Sequence, residues 1–140
     1  TQVSGRVGRG NAPGQVFIQT RTPEHPAIQA AATGDFWRFA NLELANRRML
    51  GYPPYRHLLK LTTSHDNQAD AIRTSQTVYD TLKQNRQIRV LGPAPAFHER
   101  AGGRYHWQIV VKAARRSVLV EIARSVAPTW KTDLDPLNVL

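Results

Sequence analysis

The order of strand-like and helix-like segments after residue 54 constrains the fold of this chain more than any other feature. Strand-like runs are rich in β-branched and aromatic residues, whereas helix-like runs place apolar side chains three or four positions apart. In chain order the predicted segments are the strand 57–64, the helix 66–84, the strand 88–99, the strand 105–111, the helix 115–127 and the strand 132–136. The order β-α-β-β-α-β is that of the split, ferredoxin-like unit. We therefore predict an α+β domain in which two helices cover one face of a four-stranded antiparallel sheet.

Apolar spacing also predicts which side chains of this unit lie in the core. The side chains expected to point inward from the first helix are Ile72, Ser75, Val78, Tyr79 and Leu82. In the third strand Tyr105 and Trp107 alternate with polar neighbours and continue into Ile109 and Val111. We expect the two aromatic side chains to be buried. The alternative is that they face solvent and stack on nucleic-acid bases.

The part of the chain before residue 54 has the pattern of a strand followed by two helices. Residues 15–20 are predicted to form a short strand. A first helix is predicted to start at Thr22-Pro23 and to end at Gly34, because proline suits a first helical turn and glycine suits a helix end. Asp35 is expected to cap a second helix over 36–50.

Two consecutive prolines end the second predicted helix and mark a domain boundary. Gly51-Tyr52-Pro53-Pro54 cannot continue a helix, because proline lacks an amide donor and clashes with the preceding turn. We predict one domain over 1–53 and a second over 54–140.

The composition favours a partner of negative charge. The chain has a net charge of +9 and an isoelectric point near 10.8, and such a charge favours association with a polyanion such as nucleic acid. The alternative is a basic surface that serves only solubility. Cysteine is absent, and the five histidines show no ligand spacing, so we expect no metal site in the chain. No apolar run approaches the roughly 18 residues of a membrane-spanning helix, so we expect no membrane partner.

A Gly- and Arg-rich string opens the chain. Arg6 and Arg9 are three positions apart, so on a helical turn they project from one face. Two planar guanidinium groups on one face can clasp a terminal phosphate. A solvated basic loop is the alternative, since short strings of this composition are common. The chain starts inside this string without a methionine, and we expect it to be a piece of a longer protein.

Basic residues of the second domain form two further candidate sites. Arg100 and Arg104 flank the Gly102-Gly103 turn, and we expect them to meet at a hairpin tip. Lys112, Arg115 and Arg116 gather at the predicted start of the last helix, where free amides add positive potential. We assign Arg100, Arg104 and Lys112 to nucleic-acid binding, and Arg115 and Arg116 to an acidic partner. Solvated surface charge is the alternative for each.

The opening string resembles the sixth motif of superfamily-2 helicases, whose pattern is Q-x-x-G-R-x-G-R. Further blocks, in the same order along the chain, resemble the PriA family of primosomal replication-restart DNA helicases. These blocks are Gly14-Gln15-Val16-Phe17-Ile18-Gln19-Thr20, Pro23-Glu24-His25, Asn46-Arg47-Arg48, Tyr52-Pro53-Pro54-Tyr55, Leu91-Gly92-Pro93-Ala94-Pro95-Ala96, Gly103-Arg104-Tyr105-His106-Trp107-Gln108 and Asp133-Leu134-Asp135-Pro136. They cover the whole chain. Ser4, Val7 and His106 depart from the usual residues of the family without removing a motif arginine.

The resemblance implies a role for the opening string in ATP hydrolysis. By the resemblance, Arg6 and Arg9 bind ATP and act as arginine fingers on its γ-phosphate, and Gln2 assists them. Residues 1–53 would be the end of the second motor lobe. ATP with Mg²⁺ is the implied cofactor of the longer protein, and its zinc module would lie outside this chain. Because no G-x-x-x-x-G-K-[ST] occurs here, we expect the chain alone to hydrolyse no ATP.

The resemblance also implies partners and a cellular role. It implies an ATP-dependent 3′-to-5′ DNA helicase that recognises stalled forks and starts primosome assembly in replication restart. Its implied partners are forked or single-stranded DNA, the tail of the single-stranded-DNA-binding protein and other primosome proteins. Its implied location is the bacterial cytoplasm, at the nucleoid. A stand-alone nucleic-acid-binding module or a protein-docking module of ferredoxin-like fold is the alternative.

Overall fold

A computed structural model describes residues 16–136 of the chain. Two compact units meet in sequence between Asn46 and Arg47, and each is described separately below. The domain boundary predicted after Pro53 lies beyond this division and stays a prediction. Over the described residues, no helix combines the length and the apolar character that crossing a membrane requires.

The first unit contains a short helix and most of a longer one. These are α1 (Pro26–Thr33) and α2 (Phe36–Leu50). The predicted start of α1 at Thr22 was wrong, because His25 takes the N-cap position and its ring nitrogen Nδ1 accepts a hydrogen bond from the following turn. The predicted end was right, since Gly34 closes the helix with a φ of 70°.

Residues 16–20 do not form the strand that their β-branched content predicted. A strand is stabilised by pairing with a neighbour, and no described segment pairs with this one. Local propensity alone was therefore insufficient. The predicted cap of α2 is confirmed, because the Oδ1 atom of Asp35 accepts the amide hydrogen of Arg38 at 2.9 Å.

The second unit is the predicted βαββαβ domain. After the end of α2, its elements are β1 (His57–His65), α3 (Gln68–Lys83), β2 (Ile88–Ala101), β3 (Arg104–Ala113), α4 (Arg116–Ser125) and β4 (Lys131–Leu134). The strands form one antiparallel sheet in the order β2-β3-β1-β4. This result confirms the predicted α+β class and the ferredoxin-like topology.

Both helices of this unit pack on the same face of the sheet, as predicted. The core contains Leu59 and Leu61 of β1, which are fully buried and stand opposite residues of β3. Leu119 of α4 joins the same cluster, and Leu82 of α3 packs against it. Alternate residues of a strand point to opposite faces, so Lys60 and Thr62 lie on the other face of the sheet, which α3 and α4 leave uncovered.

The inward face of α3 differs by one position from the prediction. Ile72 was expected to point inward, but 44% of its surface is exposed. Ala71 is fully buried in its place. Ser75, which was predicted to point inward, is also fully buried, and it shares a face with Ala71 because the two are four residues apart. The small side chain of Ala71 lets the helix lie close to the sheet. The larger apolar residue next to it was therefore a misleading signal.

The aromatic residues of β3 lie on the helix side of the sheet. Trp107 is 6% exposed, which confirms that it belongs to the core. Tyr105 is half-buried, and the guanidinium of Arg100 lies 5.4 Å from the centre of its ring. Tyr105 and Trp107 are therefore not available as a stacking platform for bases.

Candidate nucleic-acid interface

The face of the sheet opposite the helices carries polar and basic side chains. Lys60 and Thr62 of β1 alternate with the buried leucines, and Thr62 pairs with Gln108 of β3. On β4, Asp133 stands opposite Lys60, and Lys131 stands opposite Thr62. We call the side chains of Lys60, Thr62, His106, Gln108 and Lys131 the open face.

A groove of about 600 Å³ crosses the open face. Lys60, Lys131 and His106 line it from the strands together with the acidic Asp133, and Phe97 and His98 line it from an irregular part of β2. Phe97 is 73% exposed, and its ring lies 4.8 Å from that of His98 in an edge-to-face arrangement. An exposed aromatic ring beside cationic side chains suits a single-stranded nucleic acid, since bases stack on such rings and phosphates bind the cations.

The two hairpin arginines do not meet as predicted. Arg100 pairs with Tyr105 in the ladder, and Ala101 pairs with Arg104, so the two arginines point to opposite faces of the hairpin. The guanidinium of Arg104 donates to the hydroxyl and the carbonyl of Ser64, both at 2.8 Å. It also forms an ion pair of 2.7 Å with Asp66. The side chain of Arg104 therefore links the hairpin to the end of β1 by hydrogen bonds and an ion pair, while Arg100 remains exposed.

Lys112 does not stand at the surface near the start of α4, contrary to prediction. It is only 6% exposed, and its Nζ atom donates to the carbonyl of Leu50 at 3.0 Å. The same ammonium lies 3.4 Å from the centre of the Tyr52 ring. These contacts separate Lys112 from the Arg115–Arg116 pair, because even-numbered residues of β3 point away from the helices.

Arg115 and Arg116 do stand together at the start of α4. Arg115 is the N-cap residue and makes no side-chain cap bond; its guanidinium donates to the side chain of Gln87 at 3.0 Å. Arg116 has a 58% exposed side chain, and its Nε atom donates to the Oδ2 atom of Asp135 at 3.3 Å. This corner is basic and accessible, but Asp135 already neutralises part of it.

Asp135 is held ionised by its surroundings. Burial by itself would raise the pKa of Asp135, but the amide of Leu58 donates to its carboxylate at 3.1 Å. That hydrogen bond, together with the contacts to Arg116 and His57, lowers the pKa below its ordinary value. A lowered pKa means that the folded chain favours the charged form, so Asp135 stabilises the fold at neutral pH.

The substitution Asp135→Asn should therefore lower the free energy of unfolding by about 1 kcal/mol at pH 7. Asparagine also tolerates the left-handed backbone at this position, where φ is 53°, so the change removes mainly the charge. The stabilisation by Asp135 is complete above its unfolded pKa of roughly 3.9 and is lost as the pH falls through the lower folded value. Urea unfolding of both proteins between pH 7 and pH 2 should show curves that converge in acid. A difference that is independent of pH would contradict the assignment.

Comparison with known proteins places the second unit in a family. The family described as the primosomal protein N C-terminal domain matches residues 48–137. The chain belongs to this family. It is also 40% identical over 147 residues to the replication restart protein PriA of Synechocystis, which covers 99% of the chain and 18% of that protein.

Two further replication restart proteins PriA are similar to the chain over nearly all of its length. The protein of Bacillus subtilis is 37% identical and covers 100% of the chain, and that of Treponema pallidum is 34% identical and covers 99%. The chain spans 18% and 23% of these two proteins, respectively. It thus corresponds to about a fifth of the length of its PriA relatives.

The motif residues of the opening string in this primosomal family member lie outside the described residues. Gln2, Arg6 and Arg9 precede residue 16, so their assignment to ATP remains a prediction.

Sequence reasoning missed most of the open face of the primosomal domain. Lys60, Lys131 and Phe97 were not singled out, although they line one groove with His106. The alternation in β3 could have predicted part of this face, because burial of Trp107 on one side of the sheet requires His106 and Gln108 to point to the other side. Phe97 had no such signal, since irregular pairing between Pro95 and Arg100 determines its direction.

Proposed function

We propose that the open face of this domain docks a single-stranded segment of DNA. The groove that places exposed Phe97 beside Lys60, Lys131 and His106 carries this proposal. Bases would stack on the exposed ring, while phosphates would bind the two ammonium groups. The high positive charge of the chain supports the same partner, because release of counterions from DNA favours association with cationic surfaces.

The domain would act as part of a larger replication restart protein. Its relatives carry that name, and the chain covers only 18% of the Synechocystis protein. In such a protein, an ATP-dependent 3′-to-5′ helicase activity would use ATP with Mg²⁺, and a zinc module would lie elsewhere. Arg6 and Arg9 would stabilise the charge that develops on the γ-phosphate, with Gln2 beside them. The role of this chain would be to supply those arginines and to hold forked or single-stranded DNA.

Arg115 and Arg116 would serve a protein partner during primosome assembly. Both guanidinium groups stand at the start of α4, where backbone amides add positive potential. An acidic segment, such as the tail of the single-stranded-DNA-binding protein, would share Arg116 with Asp135. The ion pair between Arg116 and Asp135 would then help to aim the guanidinium at the partner.

The substitution Phe97→Ala should test the role of the open face. Stacking on an aromatic side chain contributes about 1–3 kcal/mol per base, so we expect the affinity for single-stranded DNA to fall at least about fivefold. Because Phe97 is exposed, its removal should leave the melting temperature nearly unchanged. Fluorescence anisotropy with a labelled oligonucleotide measures the affinity.

Phe17→Ala provides the matched control, since it removes another highly exposed phenylalanine from the other unit. We expect wild-type affinity in that variant. Equal affinities for DNA in the wild-type protein and in Phe97→Ala would exclude stacking in the groove.

A further inference from the structure

A second cavity, distinct from the groove of the open face, has a wall of cationic side chains. Its volume is about 320 Å³. Arg48 belongs to the last turn of α2, and Arg56 precedes β1. The other cations of the wall are Arg86, which lies two residues before β2, Arg89 near the start of β2 and Lys112 of β3. We call this site the arginine cavity. None of the described residues that line it is acidic.

Within the described part of the chain, no acidic side chain of the lining balances the charges of the arginine cavity. In residues 16–136, the guanidinium groups of Arg56, Arg86 and Arg89 have neither an ion pair nor a hydrogen bond. Arg89 and Lys112 stand directly opposite each other on neighbouring strands. Like charges in that position destabilise a sheet, so the pairing carries a cost that an external anion would remove. A cleft lined by one sign of charge also concentrates ions of the opposite sign.

The buried ammonium of Lys112 gives independent support for a ligand. An ammonium group has three N–H donors. One donates to the carbonyl of Leu50, and the ammonium also faces the ring of Tyr52. Lys112 still lines the cavity, and these two contacts leave it donor capacity there. A buried polar group with an unused donor is costly unless a water or an ion completes its bonds.

The wall of the cavity is held in place before any ligand binds. The bond from Lys112 fixes the carbonyl of Leu50, and the guanidinium of Arg48 lies 4.8 Å from the centre of the Tyr55 ring. Gly51 turns the chain with a φ of 66°, and the side chain of Arg56 packs beside it. Prior ordering of this kind lowers the entropy that binding would otherwise lose.

We propose that the arginine cavity binds a phosphate group of a nucleic-acid strand. The cations come from α2, from the start of β2 and from β3, so they approach a ligand from several directions. A tetrahedral phosphate offers oxygen atoms in several directions, whereas a carboxylate offers two oxygen atoms in one plane. Guanidinium groups bind phosphate oxygens in a forked geometry. That the ligand is a nucleic acid rests on the proposed function. The residues that would bind it lie outside the open face.

The test compares three variants of the chain that each lose two positive charges. Arg86→Gln with Arg89→Gln alters the arginine cavity. Lys60→Gln with Lys131→Gln alters the open face. Arg73→Gln with Arg124→Gln, on the exposed surfaces of α3 and α4, is the matched control. Anisotropy titrations at several salt concentrations would use a single-stranded oligonucleotide of about 12 residues. Thermal unfolding of each variant checks that it is folded. A further variant, Arg86→Lys with Arg89→Lys, keeps the two charges but removes the forked hydrogen bonds of the guanidinium groups.

We expect the cavity variant to bind the oligonucleotide about tenfold more weakly and the control to change the affinity less than threefold. The log–log salt slope of the cavity variant should flatten by about 0.7 for each phosphate contact that is lost. The lysine variant of the cavity should bind with intermediate affinity, because it keeps the charge and loses the forks. Titrations with oligonucleotides that carry or lack a 5′-phosphate show whether the bound phosphate belongs to the backbone or to a strand end. A defect in both identifies a backbone phosphate, and a defect only in the phosphorylated one identifies a strand end.

Besides a defect confined to the open-face variant, two results would overturn the cavity proposal. One is an equal loss of affinity in the cavity variant and in the matched control, which would mean that only net charge matters. The other is a defect toward a glutamate-rich peptide without a defect toward the oligonucleotide. If only the open-face variant is defective, the cavity proposal fails and the proposed function stands. If only the cavity variant is defective, the open face is not the docking surface.

Discussion

In the full-length replication restart protein, Arg9→Ala should lower DNA-stimulated ATP hydrolysis roughly 10³-fold or more. Under the proposed function, Arg9 reaches the γ-phosphate, where a guanidinium stabilises the charge that spreads over the moving group. The substitution should leave DNA binding nearly intact, since Arg9 would contact the nucleotide and not the strand. Steady-state release of phosphate, measured with saturating DNA, gives the turnover number.

Arg73→Ala is a suitable control for this prediction. It removes the same charge from the exposed face of α3, where the side chain of Arg73 forms an ion pair with Asp70. Turnover should then stay within about twofold of the wild-type value, because a surface ion pair contributes little. A wild-type rate of ATP hydrolysis in Arg9→Ala would refute the proposed role of the opening string.

Gly92→Ala should destabilise the βαββαβ domain by about 3 kcal/mol or more. The φ of Gly92 is 101°, a backbone conformation that residues with a side chain rarely adopt. A Cβ atom at this position would lie 3.0 Å from the carbonyl oxygen of Gln108 and 3.2 Å from the amide nitrogen of Ala94. Both neighbours are backbone atoms of the ladder, so neither can move without disturbing the pairing of β2 with β3. Urea denaturation gives the free energy of unfolding.

Gly102→Ala separates the two causes of that destabilisation. Gly102 also has a positive φ, 58°, but a Cβ atom there would meet nothing within 4 Å. Its substitution should therefore cost only the conformational term, about 1 kcal/mol. If both alanine variants are destabilised equally, the close approach of Gly92 to β3 is not important for the fold.

The fold of the second unit could be predicted from the sequence because its elements are local and strongly patterned. The alternation that leads to Ile109 and Val111 identifies β3, and the positive-φ turn at Gly102-Gly103 defines the hairpin. Packing both helices on one face of the sheet buries the apolar residues of both in a single core. The same reasoning wrongly predicted a strand over residues 16–20, because the apolar content of a segment does not show whether a pairing partner exists.

The candidate site was harder to predict, because side-chain partners distant in sequence determine which charges are available. Arg104 and Arg100 looked equivalent beside the turn, but Arg104 is bound to Ser64 and Asp66. Lys112 looked exposed, but it is buried against Leu50 and Tyr52. Conversely, Arg56 and Arg89 lie far apart in sequence and line one cavity. Spacing along the chain contains no information about such contacts.

The most direct test of the account identifies the face of the domain that contacts DNA. Amide chemical shifts of the isotope-labelled chain can be followed by NMR while a single-stranded oligonucleotide is added. The account predicts that the largest changes occur at Lys60, Thr62, His106, Gln108 and around Phe97. Changes confined to the exposed surfaces of α3 and α4, or no changes at all at low salt, would contradict the assignment of the open face as a DNA-docking surface.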